Sequence, residues 1–107
     1  MEQALQNYPD ELLYRPEVLR LRGELRRKQR HLQLAEADFR EAIALSKSMN
    51  AKALELRTTM SLARLFDNQG RRDEARTMLA DIYNWFTEGF DTADLKNAKS
   101  LLEELNA

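Results

Sequence analysis

The chain has 107 residues, with 17 Lys and Arg against 18 Asp and Glu, no cysteine and one histidine. This length fits one domain with a modest core, and the missing cysteines exclude disulfides and thiolate metal sites. No apolar run approaches the ~20 residues of a membrane span, and residues 1–7 lack the layout of a signal peptide, so we expect a cytoplasmic protein.

Helical periodicity runs through the whole sequence, and no window alternates regularly enough to indicate a strand. The predicted fold class is therefore all-α. Residues 1–7 favour a short helix that Pro9 ends. Because the first turn of a helix needs no amide donor, we expect Pro16 to begin the next helix, which ends near Arg30. Its expected apolar stripe contains Val18, Leu19, Leu21 and Leu25.

The second helix is predicted over residues 33–49, with Asn50 as a left-handed terminator. Its expected inner side chains are Ala35, Phe39, Ala42 and Ile43. The only histidine, His31, precedes this helix and is expected at the surface or as a cap. The spacing of Glu36, Asp38 and Glu41 predicts a solvated face rather than a cation site.

A third helix is predicted from Ala51 to Asn68, and Gly70 suits the following turn because glycine adopts positive φ at little cost. The apolar face of this helix carries Leu56, Met60, Ala63 and Phe66. Asp73 and Glu74 then place negative charge at the start of a fourth helix, where the helix dipole favours it.

The fourth helix presents Ala75, Met78, Leu79, Ile82 and Phe86. After a loop with Gly89, Asp91 or Thr92 can cap a final helix that carries Leu95, Ala98, Leu101, Leu102 and Leu105. Near this loop stand Trp85, Phe86 and Phe90, with Tyr83 close by. These aromatic residues either lock the final helix onto the preceding hairpin, which we favour, or form a docking surface.

Two stretches, residues 16–47 and the part from Leu56 onward, repeat one spacing of small and large apolar residues. The interval from Gly23 to Ala35 equals that from Ala63 to Ala75, and Phe39 and Leu79 each follow four positions later. Small side chains let opposing helices approach closely, which predicts antiparallel helical hairpins. The expected packing residues are Gly23, Ala35, Phe39, Ala42, Leu62, Ala63, Phe66, Ala75, Leu79 and Ile82.

This pattern resembles the tetratricopeptide repeat, whose 34-residue unit has small residues near its eighth and twentieth positions. Counting from Pro16 or from Leu56 places the packing residues on the family's positions. The resemblance implies hairpins stacked as a short right-handed superhelix, within one domain over residues 1–107. Its parts would be repeat 1 at about 16–49, repeat 2 at about 51–86 and a capping helix at about 92–106.

The sequence departs from the family pattern in three places. The two repeat starts lie 40 residues apart, which predicts second and third helices about one turn longer than usual. Arg22 and Arg26 stand where the family prefers Leu and Tyr, and we expect Leu21 and Leu25 to replace them after a small rotation. Arg30 holds the turn position that Gly70 holds in the second repeat.

A narrower resemblance covers roughly residues 13–105, and its most specific part runs from Trp85 to Leu95. It is similar to the C-terminal repeat region of large bacterial signalling proteins, regulators of the ATPase and adenylate cyclase type. The sequence contains neither the catalytic domains of that family nor a glycine-rich phosphate motif. The resemblance implies a sensor or scaffold tail without enzymatic activity or cofactor.

The tetratricopeptide resemblance also implies a concave surface that binds a protein or peptide. Its expected inward residues are Arg20, Glu24, Arg27, Arg57, Met60 and Arg64, with Glu17 and Asn68 beside them. Because arginine binds carboxylates with paired hydrogen bonds, the expected partner is acidic.

Two alternatives remain open. Two repeats fall below the usual minimum of about three units, so the N-terminal edge, with Leu5, Leu12, Leu13 and Tyr14, would support homo-oligomerisation. The basic segment 15–31, with seven basic and two acidic residues, would support weak nucleic-acid binding. The second alternative is less favoured because this segment has no interleaved aromatic residues.

Overall fold

Five α-helices make up the described part of the chain, which confirms the predicted all-α class. The computed structural model describes the backbone of residues 10–88 and 92–107 and the side chains of 14–88 and 92–107. The helices are α1 (Asp10–Lys28), α2 (Leu32–Ser48), α3 (Lys52–Asn68), α4 (Arg72–Tyr83) and α5 (Ala93–Asn106). No strand occurs within these ranges. The predictions for residues 1–7, for the side chains of Leu12 and Leu13, and for Gly89, Phe90 and Asp91 lie outside the described residues.

The helices pack in two layers of stacked neighbours. Helix α3 contacts all four others, because apolar and small side chains cover most of its circumference. Helices α1, α3 and α5 follow one another in one layer, while α2 and α4 fill the second. The smallest dimension is 19 Å, as expected for two helices at a spacing of about 8–10 Å. The right-handed superhelix stays a prediction.

Small residues bring the helices of each hairpin together. A Cβ atom added to Gly23 would lie 2.6 Å from Cε1 of Phe39, which is fully buried. In the second hairpin Ala63 and Leu79 are also fully buried. All ten residues that the sequence assigns to packing are buried.

Three turns end helices α1, α2 and α3 in the same way. Arg30, Asn50 and Gly70 all have positive φ, at 68°, 57° and 78°. In each turn the next amide donates to a carbonyl five residues back, as His31 does to Arg26 over 2.8 Å. The prediction is confirmed for Asn50 and Gly70; for Arg30 the sequence indicated the equivalent turn position but left its conformation open.

Helix α1 differs most from its prediction. It begins at Asp10, so the expected start at Pro16 is wrong, and Pro16 lies inside the helix with its ring fully buried. A proline there removes one intrahelical hydrogen bond, and the burial of the ring offsets that loss. The buried face carries Pro16, Leu19 and Gly23.

The expected rotation that would bury Leu21 and Leu25 does not occur, and Val18 is exposed as well. Instead, Arg22 and Arg26 reach across the hairpin to Asp38, with closest N–O distances of 2.7 and 3.1 Å. Asp38 is only 2% exposed, so the solvated face predicted for it is wrong. Its buried carboxylate holds both arginines on the hairpin side of α1.

The other helix ends follow the sequence more closely. Helices α2 and α3 have 17 residues each and α4 has 12, in keeping with the extra turn expected in α2 and α3. Helix α4 ends at Tyr83 and therefore does not include Phe86. The Thr92 side chain accepts a hydrogen bond from the Leu95 amide at 3.4 Å and caps α5. Among the described helices, none combines the length and apolarity needed to cross a bilayer.

Candidate partner-binding surfaces

An ion-pair network occupies one end of the face that the sequence predicts to be concave. Arg20 donates to both oxygens of Glu17, at 3.0 and 2.6 Å. Arg57 lies 3.3 Å from Glu17 and 3.0 Å from Asp94. The network therefore joins α1, α3 and α5, which share one layer.

Hydrogen bonds within this network shift the pKa values of three of its residues. The pKa of Glu17 lies below its ordinary value of 4.5, mainly because Arg20 donates to it and despite partial burial. The pKa values of Arg20 and Arg57 are raised by their bonds to Glu17 and Asp94. An acidic ligand could bind these arginines only by displacing carboxylates that already neutralise them.

The other residues predicted to line the concave face differ in their burial and in their partners. Arg27 pairs with Glu24 at 2.9 Å, an ion pair between neighbouring turns of one helix. Met60 is 3% exposed and belongs to the core, so its assignment to the binding surface is corrected. Arg64 is exposed and has no carboxylate within 4 Å in the described part of the chain.

A cavity of about 440 Å³ lies where the turns after α1 and α3 meet, and we call it the turn cavity. Its lining residues come from both hairpins: Arg27, Lys28, Arg30, Leu32, Leu65, Asn68 and Gln69. Sequence reasoning missed this cavity as a unit because its two halves stand almost forty residues apart. The sequence did indicate that two turns occupy equivalent places, because Arg30 and Gly70 hold the same position in the two repeats.

The side of α1 that faces away from α2 and α3 is apolar, and we call it the α1 outer face. Tyr14, Val18, Leu21 and Leu25 are 67%, 60%, 55% and 55% exposed. Their spacing of four, three and four residues places them along one line of the helix. Only Tyr14 was expected at an open N-terminal edge.

A groove of about 510 Å³ runs between α2 and α4 above α3, and Trp85 forms one wall of it. Trp85 is 56% exposed, with the Lys52 ammonium 5.3 Å from its ring centroid. Phe86 stacks edge-on against Trp85 and packs against the core. The favoured packing role therefore holds for Phe86 and is wrong for Trp85.

The basic segment 15–31 is largely neutralised inside the fold. Arg15, Arg20, Arg22, Arg26 and Arg27 each pair with a carboxylate. Lys28 and Arg30 do not, among the described residues. This pairing reduces the support for nucleic-acid binding, since phosphate contacts need free cations.

His31 is exposed at the start of α2 and makes no side-chain cap bond. Within the described ranges, no three His, Asp or Glu side chains lie close enough together to hold a metal ion.

Comparison of the chain with protein-family models, with curated proteins and with solved structures finds no match.

Proposed function

We propose that this chain is a non-catalytic protein-interaction scaffold of the tetratricopeptide-like kind, acting in the cytoplasm as a sensor or scaffold tail in bacterial signalling. The α1 outer face is the observation that carries the proposal. Contiguous exposed apolar side chains of this size mark interaction surfaces, because water contact with them is unfavourable.

The spacing along the α1 outer face suits a helical partner. Intervals of four, three and four residues are those at which side chains of one helix enter the spaces of another. Arg15 and Arg22 flank one edge of the stripe, but each already pairs with a carboxylate of the fold. The partner segment is therefore an amphipathic helix that contacts the chain through its apolar stripe.

The free energy available from burying the α1 outer face is small compared with the cost of association. Full burial of such a side chain contributes about 1.5–3 kcal/mol, and these four are already partly covered, which leaves roughly 4–7 kcal/mol in total. Association costs about 4–15 kcal/mol in lost freedom of motion. The four exposed side chains alone would thus give weak binding, so a stable complex needs further contacts beside the stripe.

Site-specific photo-crosslinking tests the scaffold role. A photoreactive phenylalanine analogue replaces Leu21 on the α1 outer face, and Lys99 on the exposed side of α5 in a matched control. We expect an adduct in source-cell extract from the Leu21 position only. The captured protein, once purified, should bind the unmodified chain and lose at least tenfold in affinity for Leu25→Asp. No adduct, or equal binding by Leu25→Asp, contradicts the proposal.

Homo-oligomerisation is the second candidate, because two copies of the α1 outer face present the same stripe to each other. In that case the adduct from Leu21 is a dimer of this chain. Sedimentation would then show mass increasing with protein concentration for the wild type and a monomer for Leu25→Asp. A wild type that stays monomeric at high concentration excludes this candidate.

A further inference from the structure

The turn cavity is unusual for its uncompensated positive charge. Three of its seven lining residues are basic and none is acidic; Arg27 pairs with Glu24 outside the lining, which leaves Lys28 and Arg30 without an ion pair among the described residues. Ten of the chain's twelve arginines form an ion pair with a carboxylate. Arg30 in the cavity and Arg64 on α3 are the two without an ion pair in the part of the chain that the structure describes.

Arg30 also occupies a backbone position that disfavours its residue type. Its φ of 68° matches those of Asn50 and Gly70 in the two equivalent turns, where the left-handed conformation is well tolerated. For arginine that conformation costs on the order of 1 kcal/mol. The backbone of the turn therefore gains nothing from an arginine, whose side chain lines the cavity and is available to a ligand.

The rest of the lining defines the chemistry that this charge would meet. Leu32 and Leu65 provide an apolar floor, and the side-chain amides of Asn68 and Gln69 can both donate and accept hydrogen bonds. Lys28 and Arg30 supply the charge. Carboxylates, peptide groups and one apolar side chain together match this lining.

We propose that the turn cavity binds an acidic peptide segment, with carboxylates on Lys28 and Arg30 and an apolar side chain over Leu32 and Leu65. The inference rests on the proposed scaffold function, to which it adds a second site with a defined ligand class. A nucleic acid fits less well, because the cavity offers few cations and no aromatic side chain on which a base could stack.

Fluorescence anisotropy with labelled synthetic peptides tests the site on the full chain. The probe is a hexapeptide in which the sequence Asp-Asp-Leu occurs twice, and both of its ends are blocked. Comparison peptides replace leucine by serine or aspartate by lysine, and a short oligothymidylate represents nucleic acid. We expect the acidic leucine peptide to bind most tightly and the lysine peptide not to bind.

The variant Arg30→Gly removes the side chain while giving the turn its preferred residue. We expect it to bind the probe about tenfold more weakly, as for the loss of one charged hydrogen bond, without any fall in thermal midpoint. Asn50→Gly relaxes the equivalent backbone position outside the cavity and should bind like wild type.

Equal probe affinity of Arg30→Gly and wild type would overturn the site. So would equal binding of the leucine and lysine peptides, or tighter binding of oligothymidylate. None of these results bears on the α1 outer face, whose test uses Leu21 and Leu25. A failure of the turn cavity is thereby distinguishable from a failure of the scaffold role.

Discussion

Gly23 and Phe39 form a pair whose sizes compensate each other. In the second hairpin the equivalent residues are Ala63 and Leu79. Alanine there is one methyl group larger than Gly23, and leucine is smaller than Phe39. In the first hairpin no such room exists, since a Cβ on Gly23 would stand 2.6 and 2.8 Å from two ring carbons of Phe39. The Phe39 ring is fully buried, so in a close-packed interior it can move away only by displacing its neighbours.

Gly23→Ala should therefore destabilise the protein, although alanine is the better helix former by roughly 0.5–1 kcal/mol. Overpacking costs about 1–3 kcal/mol, and we expect a net loss of about 1–2 kcal/mol in urea unfolding. The double variant Gly23→Ala with Phe39→Leu recreates the pair of the second hairpin and should recover most of the loss. A Gly23→Ala protein as stable as wild type would contradict the close packing.

Thr58 presents a different problem, a hydroxyl without a partner. It is 1% exposed, and its Oγ1 is the one buried side-chain polar atom without a hydrogen bond in the described part of the chain. An orphaned buried hydroxyl costs about 1–3 kcal/mol relative to one that is satisfied.

Thr58→Val keeps the shape and removes that hydroxyl, so we expect the free energy of unfolding to rise by about 1 kcal/mol. Thr77 is an exposed control, and Thr77→Val should change the stability by less than about 0.5 kcal/mol. A destabilised Thr58→Val variant would mean that the hydroxyl has a partner after all.

Helices α1, α3 and α5 are held in register by charged groups as well as by apolar packing. Glu17 is the centre of this arrangement, because it accepts from Arg20 on its own helix and from Arg57 on α3. Arg57 in turn bonds Asp94 on α5. Such partly exposed pairs contribute at most about 1 kcal/mol each, so they orient the helices more than they hold them together.

The lowered pKa of Glu17 sets the direction of the pH dependence. A carboxylate whose folded pKa lies below its ordinary value of 4.5 stabilises the fold above that pH, and this stabilisation is lost as the pH falls through the lowered value. Near pH 7 the free energy of unfolding of the wild type should exceed that of Glu17→Gln by at most about 2 kcal/mol, because the substitution weakens two such pairs. The difference should shrink below about pH 4.5, as measured by urea unfolding at several pH values. A difference that is constant with pH would contradict the ion pairing.

The contacts of α3 with every other described helix predict that the two hairpins unfold together. Trp85 reports on the groove between α2 and α4, and circular dichroism reports on all the helices. For a domain of this size one cooperative transition is expected.

Thermal unfolding followed by Trp85 fluorescence and by circular dichroism should give coincident midpoints. Because Trp85 is 56% exposed, its native emission should also be red-shifted and accessible to a soluble quencher. Phe86→Leu, which removes the aromatic contact with Trp85, should alter the emission without separating the two transitions. Two distinct midpoints would show that the hairpins unfold independently.

The sequence by itself determined the helices, two of the three turns and the residues that pack between helices. Those features follow from local rules: apolar periodicity, the tolerance of Gly70 and Asn50 for positive φ, and the space left by small side chains. These rules did not predict the start of α1, because burial of the Pro16 ring outweighs the preference of proline for the first turn of a helix.

Contacts between residues far apart in the chain decided the rest. Arg22 and Arg26 lie on the hairpin side because Asp38, buried on α2, attracts them, and this leaves Leu21 and Leu25 at the surface. The turn cavity likewise exists only because the first and second hairpins stack with their turns adjacent. Charge pairing and cavity formation depend on the relative positions of different helices. The periodicity of a single helix carries no information about those positions.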